Sequence, residues 1–178
     1  MIKSFLEFNE AKKSGDIYPY GCVMIYPNVE NWDETTSMIS PNDVYKTAPR
    51  YGIETDPHVT LLYGLHPDVT KEDVKRVVNR FKKRKFNIKV DGIGKFDENR
   101  FSVVKLNIDS NILHQMNAEL KKLPHTNKYQ DYEPHMTIAY VKPGRADRYL
   151  SDNYKETFTS IDRVVYKMTD GSKAIFKL

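Results

Sequence analysis

The chain has 178 residues, 39% of them hydrophobic and 29% charged, which suits one soluble domain whose core needs no covalent staples. A single cysteine, Cys22, excludes an internal disulfide framework and any multi-cysteine zinc site, and no apolar run approaches the ~20 residues of a membrane span. The net charge of +4, from 28 basic and 24 acidic residues, is too mild for a sequence-independent nucleic-acid binder but compatible with a small anionic ligand.

The N-terminal stretch carries Glu7 and Glu10 and lacks an unbroken apolar run, which predicts a cytoplasmic chain without a secretory signal. Residues 2–12 read as a helix, with Ile2, Phe5, Leu6 and Asn9 on one side and Ser14-Gly15 as its stop. Tyr20 to Tyr26 reads as a strand. Ser40-Pro41-Asn42-Asp43 has the cap, proline and acid of a helix start. Val59 to Tyr63 is a strand, and Thr70-Lys71-Glu72-Asp73 opens a helix carrying Val74, Val77, Val78 and Phe81 at helical spacing. Phe86 to Phe96 and Phe101 to Ile108 alternate as half-buried strands around an Asp97-Glu98-Asn99 turn. Asp109-Ser110 caps a helix with a stripe of Leu113, Met116, Leu120 and Leu123, and Pro124 ends it. Met136 to Val141 is a strand, and Phe158 to Met168 pairs with Ala174 to Leu178.

Two passages are alike. Asp56-Pro57-His58-Val59-Thr60-Leu61-Leu62-Tyr63 and Glu133-Pro134-His135-Met136-Thr137-Ile138-Ala139-Tyr140 share Pro, His, Thr and Tyr in place. Side chains two apart on a strand point to one face, so His58 and Thr60 share a face, as do His135 and Thr137. Related by internal pseudo-symmetry, the strands bring two imidazoles and two hydroxyls to one groove. A neutral imidazole takes a proton from an attacking hydroxyl, a protonated one gives a proton to the leaving oxygen, and threonine hydroxyls bond phosphoryl oxygens. That set covers phosphodiester cleavage without a metal. A lone histidine on a strand is usually structural, and His66, His114 and His125 are read that way; packing alone gives no reason to repeat the flanking Pro, Thr and Tyr.

These paired segments resemble the signature of the two-histidine (2H) phosphoesterase superfamily, which includes RNA 2'-5' ligase-like proteins and cyclic nucleotide phosphodiesterases. The resemblance spans most of residues 18–178 and includes Ile88 to Phe96. It implies an α+β fold of two pseudo-symmetric lobes, whose antiparallel sheets form a concave groove with helices outside. It also implies a single two-lobed domain over 1–178 and catalytic roles for His58, Thr60, His135 and Thr137. Compact size, the strand around Tyr20–Tyr26, the Trp32 segment and the approach to His58 are most similar to bacteriophage anti-CBASS nucleases. Those proteins degrade cyclic oligonucleotides that signal in bacterial anti-phage defence, which would place the chain in the host cytoplasm.

Other residues have two readings each. Alternation turns Val23 and Ile25 to the helices and Tyr20, Cys22, Met24 and Tyr26 to the groove, where Tyr20 and Tyr26 either stack on bases or pack at the sheet edge. Cys22 reads as packing, because nothing nearby lowers its pKa. Residues 142–157 are polar and read as a surface loop or as a lid bringing Lys142, Arg145, Arg148, Tyr149, Tyr154 or Glu156 to a ligand, with Glu156 taken as substrate-binding. Gly92-Ile93-Gly94 reads as a bulge or bend, and Asp16, Asp43 and Asp56 as turn or cap residues. No acidic or histidine cluster has metal-ligand spacing, so no metal or cofactor is expected. The expected partner is a small cyclic di- or trinucleotide, not a duplex or a membrane. The alternatives are an enzyme acting on 2',3'-cyclic phosphates or RNA ends, and a protein that sequesters nucleotides without cleaving them.

Overall fold

The computed structural model describes residues 18–48, 51–84, 86–126 and 131–178. The helix expected over residues 2–12 lies outside them. The described strands form an eight-stranded sheet in which every pairing is antiparallel. In chain order the strands are β1 (Gly21–Pro27), β2 (Val59–Leu65), β3 (Ile88–Asp97), β4 (Ser102–Asp109), β5 (His135–Val141), β6 (Ser151–Phe158), β7 (Ile161–Lys167) and β8 (Lys173–Phe176). Across the sheet they run β6-β3-β4-β5-β2-β1-β7-β8. The order reads as two four-stranded halves meeting at β5 and β2, the two strands that carry the repeated motif.

Three helices, α1 (Trp32–Ser37), α2 (Lys71–Asn79) and α3 (Asn111–Leu120), cover one face. The main core lies between them and the sheet, and takes Val23 and Ile25 from β1, Val104 and Leu106 from β4, and Met136 and Ile138 from β5. Helix α2 starts as its sequence predicts. Thr70 accepts from the Asp73 amide while the Asp73 carboxylate accepts from the Thr70 amide, so two orphan donors are satisfied at once. Ser110 precedes α3, but its hydroxyl bonds the Asn87 carbonyl instead of capping the helix. The Ser40-Pro41 signal yields only a turn, closed by the Asp43 amide on the Ser40 carbonyl. The chain must extend there because Val44 bridges Val141 of β5.

β2 and β5 pair at a single bridge, Val59 with Met136, and then diverge. The edges this exposes are sealed crosswise. Residues 43–45 and 52–54, which precede β2, run along β5: Asp43 and Gly52 accept from the amides of Lys142 and Tyr140, while Tyr45 and Glu54 donate to the carbonyls of Tyr140 and Ile138. Residues 124–126, on the way to β5, run along β2, where the Thr126 amide donates to Gly64 and the His66 amide to Pro124. Two further β2 carbonyls are satisfied by side chains, Thr60 by the Tyr132 hydroxyl (3.0 Å) and Leu61 by the Asn117 amide (2.6 Å).

Candidate active site

The sheet face opposite the helices carries both motifs. His58, Thr60, His135 and Thr137 are half-buried, and they alternate with Val59, Leu61, Met136 and Ile138, which are fully buried in the core. Each histidine stands one residue before the Val59–Met136 bridge on strands of opposite direction. Strand geometry separates them by about 7 Å along the strands and about 5 Å across, so their Cα atoms lie roughly 9 Å apart.

Both imidazoles are held alike. His58 Nδ1 lies 2.7 Å from the Asp56 carbonyl oxygen, and His135 Nδ1 lies 2.8 Å from that of Glu133. A carbonyl only accepts, so each Nδ1 carries a proton and Nε2 is left to exchange one with a ligand. Burial, reinforced by the charges of Lys105 and His58, lowers the His135 pKa to about 4; the bond to the Glu133 carbonyl opposes the shift without cancelling it. His135 is therefore neutral at physiological pH.

The repeat extends beyond His-x-Thr for a structural reason. Met24 pairs with Thr60 and Val23 with Leu62, which leaves Leu61 as the extra residue of a bulge. Lys105 pairs with Thr137 and Val104 with Ala139, which makes Ile138 the extra residue in β5. Both residues between Thr and Tyr thus enter the core, and Tyr63 and Tyr140 return to the histidine face. Aromatic groups flank the motifs in both halves. Tyr18 and Tyr63 pack with Cys22, Met24 and Tyr26 on one side. On the other, the Tyr51 ring lies 5.0 Å from Phe101 and 5.4 Å from Tyr140, with Tyr45 at 4.9 Å.

The remaining predicted residues separate. Tyr26 is only 6% exposed, with its ring 5.6 Å from His58 and the Arg163 guanidinium 4.2 Å above it. Burial and the neighbouring Asp56 carboxylate, which accepts its hydroxyl, raise its pKa. Arg163 also meets Asp56 at 3.3 Å, so Tyr26 and Arg163 brace the segment that leads into His58. Tyr20 lies at the other end of β1, its ring 6.0 Å from Tyr63 and 6.2 Å from His66, and six residues from Tyr26, or ~20 Å of extended strand. Cys22 is fully buried and its thiol is pushed up to about 12 by that burial, as a packing residue requires.

Glu156, expected to bind substrate, is placed apart from the two motifs. It pairs with core-facing Val90, so it lies beside Tyr154 on the helix side of the sheet, away from the histidines. Of the two readings of 142–157, loop or lid, the observed arrangement is neither an open loop nor a cover on the histidine face. Residues 151–158 are edge strand β6, and the preceding turn packs on the helix side with Ala146 in the core at 1% exposure. Asp43, read as an isolated cap, anchors that turn: at 4% exposure it accepts from the Tyr149 hydroxyl (2.5 Å) and from Arg148 (3.2 Å).

Sequence reasoning missed Lys105 and Asn107 on β4, which pair with Thr137 and His135 and share their face. Their alternation with Leu106 and Ile108 was the available signal, but it does not say which strand lies next to β4. Among the described residues, no group of three His, Cys, Asp or Glu side chains is placed to hold a metal ion, and no helix is long and apolar enough to cross a membrane.

A family model, the 2'-5' RNA ligase superfamily, matches residues 43–164 and so includes both motifs. Among curated proteins no sequence matches the chain. Solved structures share its fold at low identity. Usb1 of Kluyveromyces marxianus with uridine monophosphate has a TM-score of 0.58 at 9% identity, covering 90% of this chain and 98% of that one. LigT of E. coli complexed with 3'-AMP has a TM-score of 0.57 at 12% identity, covering 90% and 95%. TT0787 of Thermus thermophilus has a TM-score of 0.57 at 15% identity, covering 89% and 94%.

Proposed function

The chain belongs to the 2'-5' RNA ligase superfamily, and from that premise we propose that it is a phosphodiesterase in which His58 and His135 carry the proton transfers. The observation that carries this reading is the matched restraint of the two imidazoles, each fixed through Nδ1 to the carbonyl two residues earlier. A substrate 2'-hydroxyl, or a water, attacks phosphorus and gives its proton to Nε2 of His135, the histidine that burial keeps neutral. The phosphorus–oxygen bond to the leaving group breaks, and that oxygen takes its proton from Nε2 of His58. Thr60 and Thr137 bond the non-bridging oxygens as charge grows on them. Internal attack yields a cyclic phosphate and a free hydroxyl; water attack yields a monoester and a free hydroxyl. The residues supply both proton transfers, so cleavage is expected to continue in excess chelator.

The substrate class we assign is a small cyclic di- or trinucleotide, as in the signalling that anti-CBASS nucleases oppose. Rings flank the histidines in both halves, which suits two or more bases, and the net charge of +4 suits few phosphates. Tyr20 stays a candidate stacking ring at the far end of β1, whereas Tyr26 serves His58. A second reading, RNA ends or 2',3'-cyclic phosphates, is favoured by relatives solved with uridine monophosphate and 3'-AMP. A competition assay offering a cyclic dinucleotide and a linear RNA across salt concentrations separates them. Preferential loss of the cyclic compound with a shallow salt slope supports the first; preferential loss of RNA with a steep slope supports the second. In either case His58→Ala or His135→Ala lowers turnover by ~10²–10⁴-fold. Binding without cleavage by the unaltered chain identifies a sequestering protein instead.

A further inference from the structure

Lys105 breaks the symmetry of the site. It faces Thr137 across the β4–β5 ladder, and the position that faces Thr60 in the other half is the fully buried Met24. Lys105 is only 6% exposed. Its ammonium donates to the Asn107 side-chain oxygen at 2.7 Å and sits 4.3 Å from the centre of the Phe96 ring, which itself lies 4.9 Å from His135. Among the described residues no carboxylate forms an ion pair with it. An ammonium has three protons to donate, and one is used on Asn107. Burying such a cation without a direct ion pair is costly: burial lowers its pKa, and the charge of the Glu133 carboxylate, which makes no ion pair with it, only opposes that shift.

The surroundings hold this arrangement in place. Gly94 of β3 pairs with Lys105, and a Cβ there would come within 2.6 Å of the Asn107 side-chain oxygen. The bare backbone at Gly94 is thus the space in which Asn107 reaches Lys105.

We propose that Lys105, steadied by Asn107 over Gly94, anchors the scissile phosphoryl group, drawing a non-bridging oxygen to the His135–Thr137 half of the groove. This rests on the phosphodiesterase reading and adds a charged anchor to it. The ammonium keeps its protons throughout: as the attacking oxygen bonds to phosphorus and the leaving oxygen departs, Lys105 offsets the charge that accumulates on the non-bridging oxygen. The anchor makes the two motifs unequal, so a substrate binds in one orientation.

The test uses the full chain and its Lys105→Met variant, with 3'-AMP and phosphate-free adenosine as binding probes and a phosphodiester as substrate. Methionine already occupies the matching position of the other half, so the variant keeps its fold and melting temperature. The expected result is loss of 3'-AMP affinity by tenfold or more, unchanged adenosine binding, and a fall in kcat/KM of about 10²-fold. Equal weakening for both probes, or wild-type binding of 3'-AMP, overturns the anchor. In the unaltered chain the Lys105 side-chain NMR signal should shift on saturation with 3'-AMP, and its failure to move overturns the proposal however the variant folds. An unaltered chain that cleaves no phosphodiester, while Lys105→Met still loses phosphate-dependent affinity, refutes the catalytic reading and leaves the anchor. A chain that cleaves and binds equally well with and without Lys105 refutes the anchor alone.

Discussion

If His135 is the base, acid should be slow to silence the enzyme. Burial is the main cause of the low pKa of His135, the carbonyl of Glu133 opposes it, and the charged groups facing the ring, Lys105 from β4 and His58 just before β2, disfavour a further positive charge. With a pKa of about 4, His135 is still about 90% neutral at pH 5. An unperturbed imidazole of pKa ~6.5 would be only about 3% neutral there, a difference of about thirtyfold in available base. The acid limb of kcat/KM reports the free enzyme, so it should bend near pH 4. The assay is kcat/KM from pH 4 to 8, with circular dichroism at each pH to keep unfolding apart, and the ring carbon shift of His135 followed by NMR. An acid limb near pH 6.5, matched by titration of the His135 ring there, refutes the assignment of His135 as the buried base.

Two further perturbations probe what holds the site. Gly64 has φ of +110°, and a Cβ there would fall 2.1 Å from the Thr126 carbonyl oxygen, so Gly64→Ala combines backbone strain with displacement of the strap sealing β2. Strain and one lost backbone bond together cost about 2–4 kcal/mol, read as a drop in Tm of roughly 5–15 °C; a drop under ~2 °C counts against the strap. Cys22, fully buried with a thiol pushed up to about 12, should react with a thiol reagent only on unfolding; rapid labelling of the native chain would show that the packed cluster opens.

The most legible parts of the sequence were those in which residue type and position carry the same message. Pro-His-x-Thr-x-x-Tyr announced two matched strands because the chemistry of His and Thr and the period of two both point to one face. The bulges at Leu61 and Ile138 were not visible, since a doubled apolar residue in a strand looks the same whether or not the ladder slips. Thr70 and Asp73 fixed the start of α2 locally, whereas Ser40-Pro41 offered the same kind of local signal and lost to Val44, which bridges β5 about a hundred residues on. The placement of Glu156 and of residues 142–157 was hidden for a related reason. Residues 142–157 look solvated in composition, and only the pairing of β6 with β3 and the buried carboxylate of Asp43 turn them away from the histidines. Lys105 gave no warning because a lysine in an alternating strand is ordinarily on an exposed face; here its neighbours Phe96 and Asn107 cover it.

The crosswise sealing of β2 and β5 makes the halves inseparable despite their likeness. A chain cut in the turn between β3 and β4 would leave one fragment with β2 but without residues 124–126, and the other with β5 but without residues 43–45 and 52–54. Each fragment would present the naked rim of its own histidine strand, the kind of surface that recruits foreign strands and aggregates. Mixed together, the fragments would cure each other by exchanging straps. A duplication that began as two identical units would have met the same condition, with reciprocal exchange required before either copy could keep its histidine strand covered. The matching of the two motifs and the interlacing of their edges are then one property of the molecule: the pair of imidazoles exists only in the assembled whole.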